Sequence, residues 1–391
     1  MHLRSRLHFW QSLYVITISI LPLIVVGAVN YLVDPLQIYR KQQFFEQKFW
    51  NNQRYQNAGK IRNYLNNDGY DSVLIGNSVS DNFIPSHVAQ AIGCQKMLKL
   101  TVDGGMASEQ AFMLDAALSR GSVKKVFWCT RVNTFMDTRG ERWHPKYAIP
   151  FYLYTDTIWD DSQYVLSIDN FNNSLSFVFP NNSILGELDK KSKWSENLEY
   201  LNYWQNLNQI KSQIAYNSPS NIGKLQAKQV KISAKNVLES NSNFPFIEEK
   251  FVQLVKMNPN VEFYVVFAPA ARADLATQKI KFLQRYFGVQ KAMVQKVKNF
   301  RNITIFGFEN DDFIVNNLAN YRDSHHYHSG VNEYMLQVIK NKNNRLNNNN
   351  IDKYISEIID KMSGFKIYSD FESMIPLATP EENSLLKENM N

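Results

Sequence analysis

The feature that most constrains this chain is an apolar segment near its amino terminus, from Phe9 to Leu32. Its length matches the roughly 20 residues that an α-helix needs to cross a bilayer. Arg4 and Arg6 precede it without an acidic residue, and flanking basic residues favour a cytoplasmic amino terminus. The alternative is a signal peptide cleaved at Val26–Ala28, but the apolar run is longer than a signal core of about 7 to 15 residues. We therefore predict that residues 1–35 form an uncleaved single-pass anchor and that the rest of the chain lies outside the cytoplasm.

After this segment, short apolar runs alternate with stretches compatible with helices. The apolar runs predict buried strands at Ser72–Ile75, Met97–Val102, Lys125–Thr130, Val261–Phe267 and Arg301–Phe306. The predicted helices are Ser86–Ile92, Ser108–Arg120, Asn236–Met257, Thr277–Gln284, Val289–Phe300 and Val331–Ile339. Strands that alternate with helices indicate an α/β domain built on a parallel sheet.

Composition divides the rest of the chain into a domain and a tail. The domain covers residues 36–340, and the pattern of strands and helices breaks down inside it at about 137–234. There, aromatic residues mix with polar ones, which suits carbohydrate faces and equally suits the core of a small inserted unit. Residues 341–391 begin with an asparagine-rich stretch typical of a linker, followed by one amphipathic helix, Ile351–Met362, and a polar tail.

Charge and cysteine content limit the function classes. The chain of 391 residues has a formal net charge of +7, but the excess is spread along it instead of forming a basic arm, so we expect no nucleic-acid partner. Next to a membrane such a surface favours anionic lipid or an anionic polymer, although ordinary surface lysines explain it equally well.

Cys94 and Cys129 lie in apolar stretches and are interpreted as core residues. A disulfide between them is an alternative in an oxidising compartment.

Ser78 is the candidate nucleophile. It follows the first predicted strand after Gly76 and Asn77, two residues that tolerate tight turns. A serine at the carboxyl end of a buried strand lies at the sheet edge where open α/β folds bind ligands. The same Gly-x-Ser pattern also occurs in turns with no catalytic role, so a second motif is needed to indicate chemistry.

The second motif is a histidine-rich stretch far downstream, Tyr321–Gly330. A nucleophilic serine needs a base, and the base needs a carboxylate that holds its tautomer and stabilises its charged form. Asp323 and His326 lie three residues apart, so one turn of chain can join them. We therefore predict His326 as the base and Asp323 as its orienting acid. His326 is preferred to His325 because it completes the Asp-x-x-His spacing. His328 is assigned no catalytic role.

A metal site is the rival interpretation, because three histidines fall within four residues beside Asp323. Adjacent histidines point apart in regular structure, and no His-x-x-x-His or cysteine pair completes a ligand set. We therefore predict no metal and no other cofactor. A polar loop with incidental histidines is the remaining alternative.

These motifs resemble a known enzyme superfamily. Gly76-Asn77-Ser78 resembles the first block of the SGNH (GDSL-type) hydrolases, with Asn in place of the usual Asp, and Asp323-x-x-His326 resembles their last block. With the apolar amino-terminal segment and the following Asn30–Pro35, the layout is similar to that of membrane-anchored, extracytoplasmic SGNH proteins. Those proteins work beside membrane-bound O-acyltransferases in alginate acetylation and in D-alanine transfer to teichoic acid.

The resemblance implies a fold, a site and a cellular setting. The fold is a three-layer, flavodoxin-like parallel sheet with an aromatic-rich insertion. The implied oxyanion hole consists of the N–H groups of Ser78 and of Gly104 or Gly105, with Asn133 as a side-chain donor. The two glycines also fit a plain strand-to-helix turn. Around Asn133 the family's Gly-x-Asn-Asp pattern is absent. The implied activity is acyl transfer or ester hydrolysis on an envelope glycan or polymer, on the periplasmic side of the cytoplasmic membrane, with a membrane-bound O-acyltransferase as partner. The alternative is a catalytically silent envelope scaffold of the same fold that binds glycan.

Overall fold

The computed structural model describes residues 2–41, 52–65, 69–136, 148–179, 234–238, 244–317, 320, 321, 323 and 325–365. The chain forms two compact units. Residues Met1–Asp68 and Ile149–Glu187 form one, which we call the N-terminal unit, and Gly69–Ala148 and Leu188–Asn391 form the other, the sheet unit. Most of the predicted insertion at 137–234 lies outside the described residues, and its described stretch at 149–179 belongs to the N-terminal unit.

The sheet unit is built on six described strands: β1 (Ser72–Gly76), β2 (Met97–Thr101), β3 (Lys125–Thr130), β4 (Glu262–Phe267), β5 (Ile303–Gly307) and β6 (Arg345–Leu346). Their order is β2-β1-β3-β4-β5-β6, and all neighbours are parallel except β5 and β6. The α/β class is confirmed. The prediction of a wholly parallel sheet is wrong at one edge, because the asparagine-rich stretch interpreted as a linker contributes antiparallel β6.

The described helices, numbered along the chain, are α1 (His2–Val33), α2 (Gln53–Asn63), α3 (Pro85–Ile92), α4 (Ala107–Leu118), α5 (Ile158–Val165), α6 (Ile168–Val178), α7 (Ala234–Leu238), α8 (Val252–Met257), α9 (Arg272–Ala276), α10 (Ile280–Lys296), α11 (Asp312–Val315), α12 (Ser329–Lys340) and α13 (Ile351–Ser363). The two helices predicted over 277–300 are one helix, α10. Gly288 lies between the two predicted helices and is a contact point in the structure: a Cβ there would lie 3.3 Å from the ring of Phe244. The glycine therefore allows close packing rather than ending the helix.

Apolar side chains cover both faces of the sheet. Phe127 of β3 lies in a core cluster with Met335 of α12. Trp128, the next residue, points to the opposite face and packs on Phe135 and Phe251, with ring centroids 5.7 Å from each. The strands β1 and β2 are buried throughout, and β3, β4 and β5 are buried at their carboxyl ends, as their apolar runs predict.

The two cysteines differ in their surroundings. Cys129 is fully buried in β3, as predicted, whereas Cys94 is only half-buried. Both are free thiols, so no disulfide joins them.

In the N-terminal unit, α1 contains the apolar segment Trp10–Val33, which has 24 residues and includes an 18-residue window with a mean hydropathy of 2.4. Every side chain from Trp10 to Val25 is exposed. The helix is long and apolar enough to cross a bilayer. Asp34 follows it with a φ of +47° and is fully buried.

The carboxylate of Asp34 organises the turn that ends α1. It accepts hydrogen bonds from the backbone N–H groups of Ile38 (2.9 Å), Tyr39 (2.8 Å) and Arg40 (3.0 Å), and from the hydroxyl of Tyr164 (2.9 Å). A buried carboxylate needs such donors, because an unpaired charge in the interior is very costly. This aspartate therefore holds the turn that directs the chain away from α1.

Candidate active site

Ser78 lies just beyond the carboxyl end of β1 and begins a 3-10 turn, Ser78–Ser80. Gly76, the last residue of β1, has no room for a side chain, because a Cβ there would collide with the Cys129 carbonyl and with Ser80. The Ser80 hydroxyl donates a 2.6 Å hydrogen bond to the Asn77 carbonyl, which closes the turn. Ser78 is half-buried and therefore accessible at the sheet edge.

The histidine-bearing loop is held by pairing at its base. Tyr321 and Tyr327 form an isolated antiparallel bridge, and both rings are buried in the core of the sheet unit. The side chain of Asn82 donates a 3.0 Å hydrogen bond to the Tyr327 carbonyl. This bond ties the loop to the segment that carries Ser78, although the two are far apart in sequence.

Three of the predicted residues form one continuous hydrogen-bonded chain. The Ser78 Oγ lies 2.8 Å from the His326 Nε2, and the His326 Nδ1 lies 2.6 Å from the Asp323 Oδ2. With Asp323 as a carboxylate, the Nδ1 carries the proton that it donates to Oδ2, which leaves Nε2 as the acceptor for the serine hydroxyl. The structure therefore brings together the residues predicted as nucleophile, base and orienting acid.

Asp323 is set up to stay charged. Burial by itself would raise its pKa, but the hydrogen bond from the His326 ring, the electrostatic interaction with His326 and the backbone bond from His325 together hold the pKa well below the usual range. Its Oδ1 accepts hydrogen bonds from the N–H groups of His325 (3.0 Å) and His326 (2.8 Å). The carboxylate thus orients His326 through both its ring and its backbone.

His325 is placed differently. Its Nδ1 lies 3.6 Å from the Asp323 Oδ1, and its ring centroid is 4.4 Å from that of His326. Burial lowers the pKa of His325 well below its usual value, and the positive charge of Arg131 lowers it further. A neutral imidazole with so low a pKa is a poor proton acceptor, which favours His326 in that role.

His328 has a structural position. It is the N-cap of α12, and its Nδ1 accepts a 3.0 Å hydrogen bond from the Gly330 N–H. Because an accepting Nδ1 carries no proton, the ring is held in the Nε2–H tautomer.

The predicted oxyanion donors lie beyond the strands that flank β1. Gly104 follows β2 with a φ of +62°, and Asn133 lies in the turn after β3. Gly105 is different, because its N–H donates a 2.8 Å hydrogen bond to the Val102 carbonyl. Within the part of the chain that the structure describes, the N–H groups of Ser78 and Gly104 donate no hydrogen bond, and the Asn133 Oδ1 accepts none. The sheet therefore collects Gly104 and Asn133 at the edge where Ser78 lies, without hydrogen bonds that join them to it.

Sequence reasoning missed the residues that hold the turn carrying Ser78. Asp81 is buried and accepts a 2.6 Å hydrogen bond from the Thr101 hydroxyl, while the Lys99 ammonium donates to its backbone carbonyl at 2.8 Å. A signal was present: Lys99 is the one charged residue within β2. A buried lysine needs a partner, and here the partner belongs to the candidate site.

Comparison with known proteins finds no matching family model, no similar curated protein and no similar solved structure. The interpretation of this site therefore depends on its own geometry and on the motifs.

The same side chains include a set that could hold a metal ion. Asp323, His325 and His326 offer ligand atoms that all lie within 4.8 Å of one another. Two imidazoles and a carboxylate are ligands that zinc accepts. However, both ring nitrogens of His326 already join Ser78 and Asp323, so a metal bound to His326 would break that hydrogen-bonded chain.

Proposed function

We propose that this protein is a membrane-anchored enzyme of SGNH type that transfers or hydrolyses an acyl ester. Ser78 is the nucleophile, His326 the general base and Asp323 the residue that orients His326. The observation that carries the proposal is the unbroken chain of hydrogen bonds from the Ser78 Oγ through both His326 nitrogens to the Asp323 carboxylate. Such a chain is the arrangement that activates a serine for attack on a carbonyl.

The proposed reaction has two balanced halves. In the first, the Ser78 Oγ attacks the acyl carbonyl while the His326 Nε2 takes its proton, and the departing alcohol then receives that proton as acyl-Ser78 forms. In the second, His326 removes a proton from an acceptor hydroxyl or a water molecule, which attacks acyl-Ser78, and His326 then returns that proton to the departing Ser78 Oγ. Asp323 stabilises the transient imidazolium in both halves because it is ionised throughout.

For the oxyanion hole we propose the N–H groups of Ser78 and Gly104, with the side-chain amide of Asn133 as a third donor. Gly105 is the weaker candidate of the two glycines, since its N–H is occupied by the Val102 carbonyl. Donors that are fixed before the reaction stabilise the developing charge without reorganisation.

The proposed setting is the periplasmic side of the cytoplasmic membrane. Arg4 and Arg6 precede the apolar part of α1, which favours a cytoplasmic amino terminus and an external sheet unit. By resemblance, the substrate is an envelope glycan or polymer and the partner a membrane-bound O-acyltransferase; the net charge of +7 suits an anionic polymer. The proposed chemistry needs no metal or cofactor.

A membrane-impermeant fluorophosphonate tests the nucleophile and the sidedness together. The full-length protein is prepared in sealed right-side-out and inside-out membrane vesicles, and covalent labelling is measured in both. We expect labelling in right-side-out vesicles, because Ser78 is accessible and hydrogen-bonded to His326. It should vanish in Ser78→Ala and persist in Ser119→Ala, a matched change at an exposed serine of the sheet unit.

Other results would overturn parts of the proposal. Absence of labelling in folded protein favours the silent glycan-binding scaffold, whose aromatic insertion lies largely outside the described residues. Labelling that occurs only in inside-out vesicles would place the site in the cytoplasm.

A further inference from the structure

The helix α6 in the N-terminal unit buries polar side chains and exposes apolar ones. Its buried side chains are Asn170, Ser174 and Phe177, of which two are polar. Its exposed side chains are of both kinds: Ile168 is 69% exposed and Phe179, the C-terminal cap residue, 70%, and Asp169, Asn172 and Ser176 are exposed as well. A helix whose outer side faces only water is expected to bury such apolar side chains and to expose polar ones.

The outward residues form a stripe. Ile168 and Leu175 are seven residues apart and lie on one side of the helix, with the exposed Asn172 between them, and Phe179 follows as the cap residue. Trp159 of α5, at 83% exposure, and Leu166, between the two helices, add to the exposed apolar surface. Together these five residues make up what we call the apolar stripe. Clustered apolar exposure of this kind marks an interaction surface, in contrast to single exposed residues.

The helices α5 and α6 pack directly on the carboxyl end of α1. A Cβ at Gly27 of α1 would lie 3.4 Å from both Val165 and Leu166. Gly27 lies six residues before Val33, where the apolar segment ends, which is about 9 Å at 1.5 Å per residue. The connection between α5 and α6 is therefore level with the apolar part of α1.

The buried polar side chains between α1 and α6, Asn30 and Ser174, find their partners within the protein. Asn30 of α1 is fully buried, and its Nδ2 donates 2.8 Å hydrogen bonds to the carbonyls of Val165 and Ser167. Its Oδ1 accepts a 2.9 Å hydrogen bond from the Ser174 hydroxyl. The Val165 carbonyl lies at the end of α5, where carbonyls lack intrahelical partners, and in a lipid environment such groups must find partners inside the protein.

We propose that α5 and α6 form a second membrane-contacting element, an interfacial helix pair whose apolar stripe is immersed in lipid beside the carboxyl end of α1. The occupant is lipid because the stripe belongs to the same unit as the exposed apolar surface of α1 and lies level with it. Its depth also matches the roughly 5–10 Å to which interfacial helices are buried. No lysine or arginine occurs in residues 148–179, so the contact does not require anionic lipid.

This proposal depends on the proposed membrane crossing of α1, and the test separates the two. Full-length protein with Cys94→Ser and Cys129→Ala is placed in vesicles of phosphatidylcholine alone. Single cysteines at positions 168 and 179 carry a nitroxide label. Labels at Ile24 of α1 (59% exposed) and at Met257 of the sheet unit (75% exposed) serve as the lipid and water references. Accessibility to oxygen, which concentrates in lipid, is compared with accessibility to a water-soluble nickel chelate.

We expect positions 168 and 179 to match position 24, with high oxygen and low nickel accessibility, and position 257 to show the reverse. A lipid-like position 24 with water-like positions 168 and 179 would overturn the helix pair and leave the anchor intact. A water-like position 24 would refute both. Low accessibility to both reagents at 168 and 179 would mean that another protein covers the stripe, which also overturns the lipid proposal. Fluorophosphonate labelling of each variant reports on Ser78 independently.

Discussion

At the scale of single residues, Asp323 fixes the candidate base at two points. Its Oδ2 holds the His326 ring at 2.6 Å, and its Oδ1 holds the His326 backbone N–H at 2.8 Å. The ring therefore has one tautomer and one direction, toward Ser78. The neighbouring His325 shares the carboxylate but is kept neutral by burial and by the charge of Arg131, which lower its pKa.

We predict that the three residues act as one unit. Ser78→Ala and His326→Ala should each reduce acyl-ester turnover by roughly 10³-fold or more, and the double variant should be little worse than either, because each loss already disables the same step. Asp323→Asn should leave a folded but strongly impaired protein, since the imidazole loses its tautomer. Turnover of an activated acyl ester by purified full-length protein in detergent is the measurement.

The matched control is His325→Ala, which should cost far less because this ring is not in the Ser78–His326–Asp323 chain. Equal damage from His325→Ala and His326→Ala would show that the base is misassigned. Losses that multiply in the double variant would show that Ser78 and His326 act separately.

At the scale of elements, α12 begins where the candidate site ends. Its N-cap, His328, accepts the Gly330 N–H, and the Tyr321–Tyr327 bridge immediately before it closes the loop that bears Asp323 and His326. The start of a helix has N–H groups without intrahelical partners, and a capping side chain satisfies one of them. The cap therefore helps to define the position of the loop.

We predict that His328→Ala lowers the thermal unfolding midpoint, with a loss of about 0.5–2 kcal/mol in the free energy of unfolding, because a cap is removed. His328→Asn should recover most of this loss, since asparagine is a good N-cap. Thermal unfolding of purified protein in detergent measures both variants. If asparagine proves no better than alanine, the ring of His328 acts by packing and not by capping.

At the scale of the whole molecule, a buried carboxylate joins the end of the sheet to two helices. Glu309 follows β5 and accepts hydrogen bonds from Tyr286 (3.0 Å) and Gln290 (2.7 Å) of α10, and from the hydroxyl of Tyr354 of α13. Burial raises the pKa of Glu309 and outweighs these hydrogen bonds, which lower it. The helix α13 is thus part of the core, although its segment is predicted to follow a linker.

This carboxylate should make stability depend on pH. Because the folded-state pKa is raised, its contribution is fully present below the unfolded-state pKa and is lost as pH rises through the folded-state pKa. We therefore predict that the unfolding midpoint of the wild-type protein falls relative to Glu309→Gln between about pH 5 and about pH 8. Thermal unfolding of both proteins at the two pH values is the measurement.

Asp312→Asn is the control, because the pKa of Asp312 is shifted in the opposite direction to that of Glu309. Burial raises the pKa of Asp312, but Lys361 and Arg272 lower it to a net value below its ordinary one. Its contribution is present above the unfolded-state pKa, so the variant should differ from wild type equally at about pH 5 and about pH 8. A Glu309→Gln difference that is also constant would mean that Glu309 does not titrate in this range.

Features that depend on local pattern could be predicted from the amino-acid sequence. The five parallel strands lie within two residues of their predicted bounds, because buried strands are short unbroken apolar runs. The helix α1 could be predicted equally well, since an apolar segment of about 20 residues is typical of a helix that crosses a bilayer. The spacing of Asp323 and His326 was readable for the same reason: both lie within one turn of chain.

Features that depend on partners distant in the sequence could not be predicted in this way. The pairing of Ser78 with His326 spans 248 residues, and sequence spacing cannot supply a 2.8 Å contact over that separation. Antiparallel β6 has two residues, too few for any periodicity. The partner of Lys99, the occupied N–H of Gly105 and the outward apolar stripe of α6 all depend on which groups the folded chain brings together. Hydrogen bonds and burial are properties of that juxtaposition, whereas hydrophobic periodicity belongs to the chain alone.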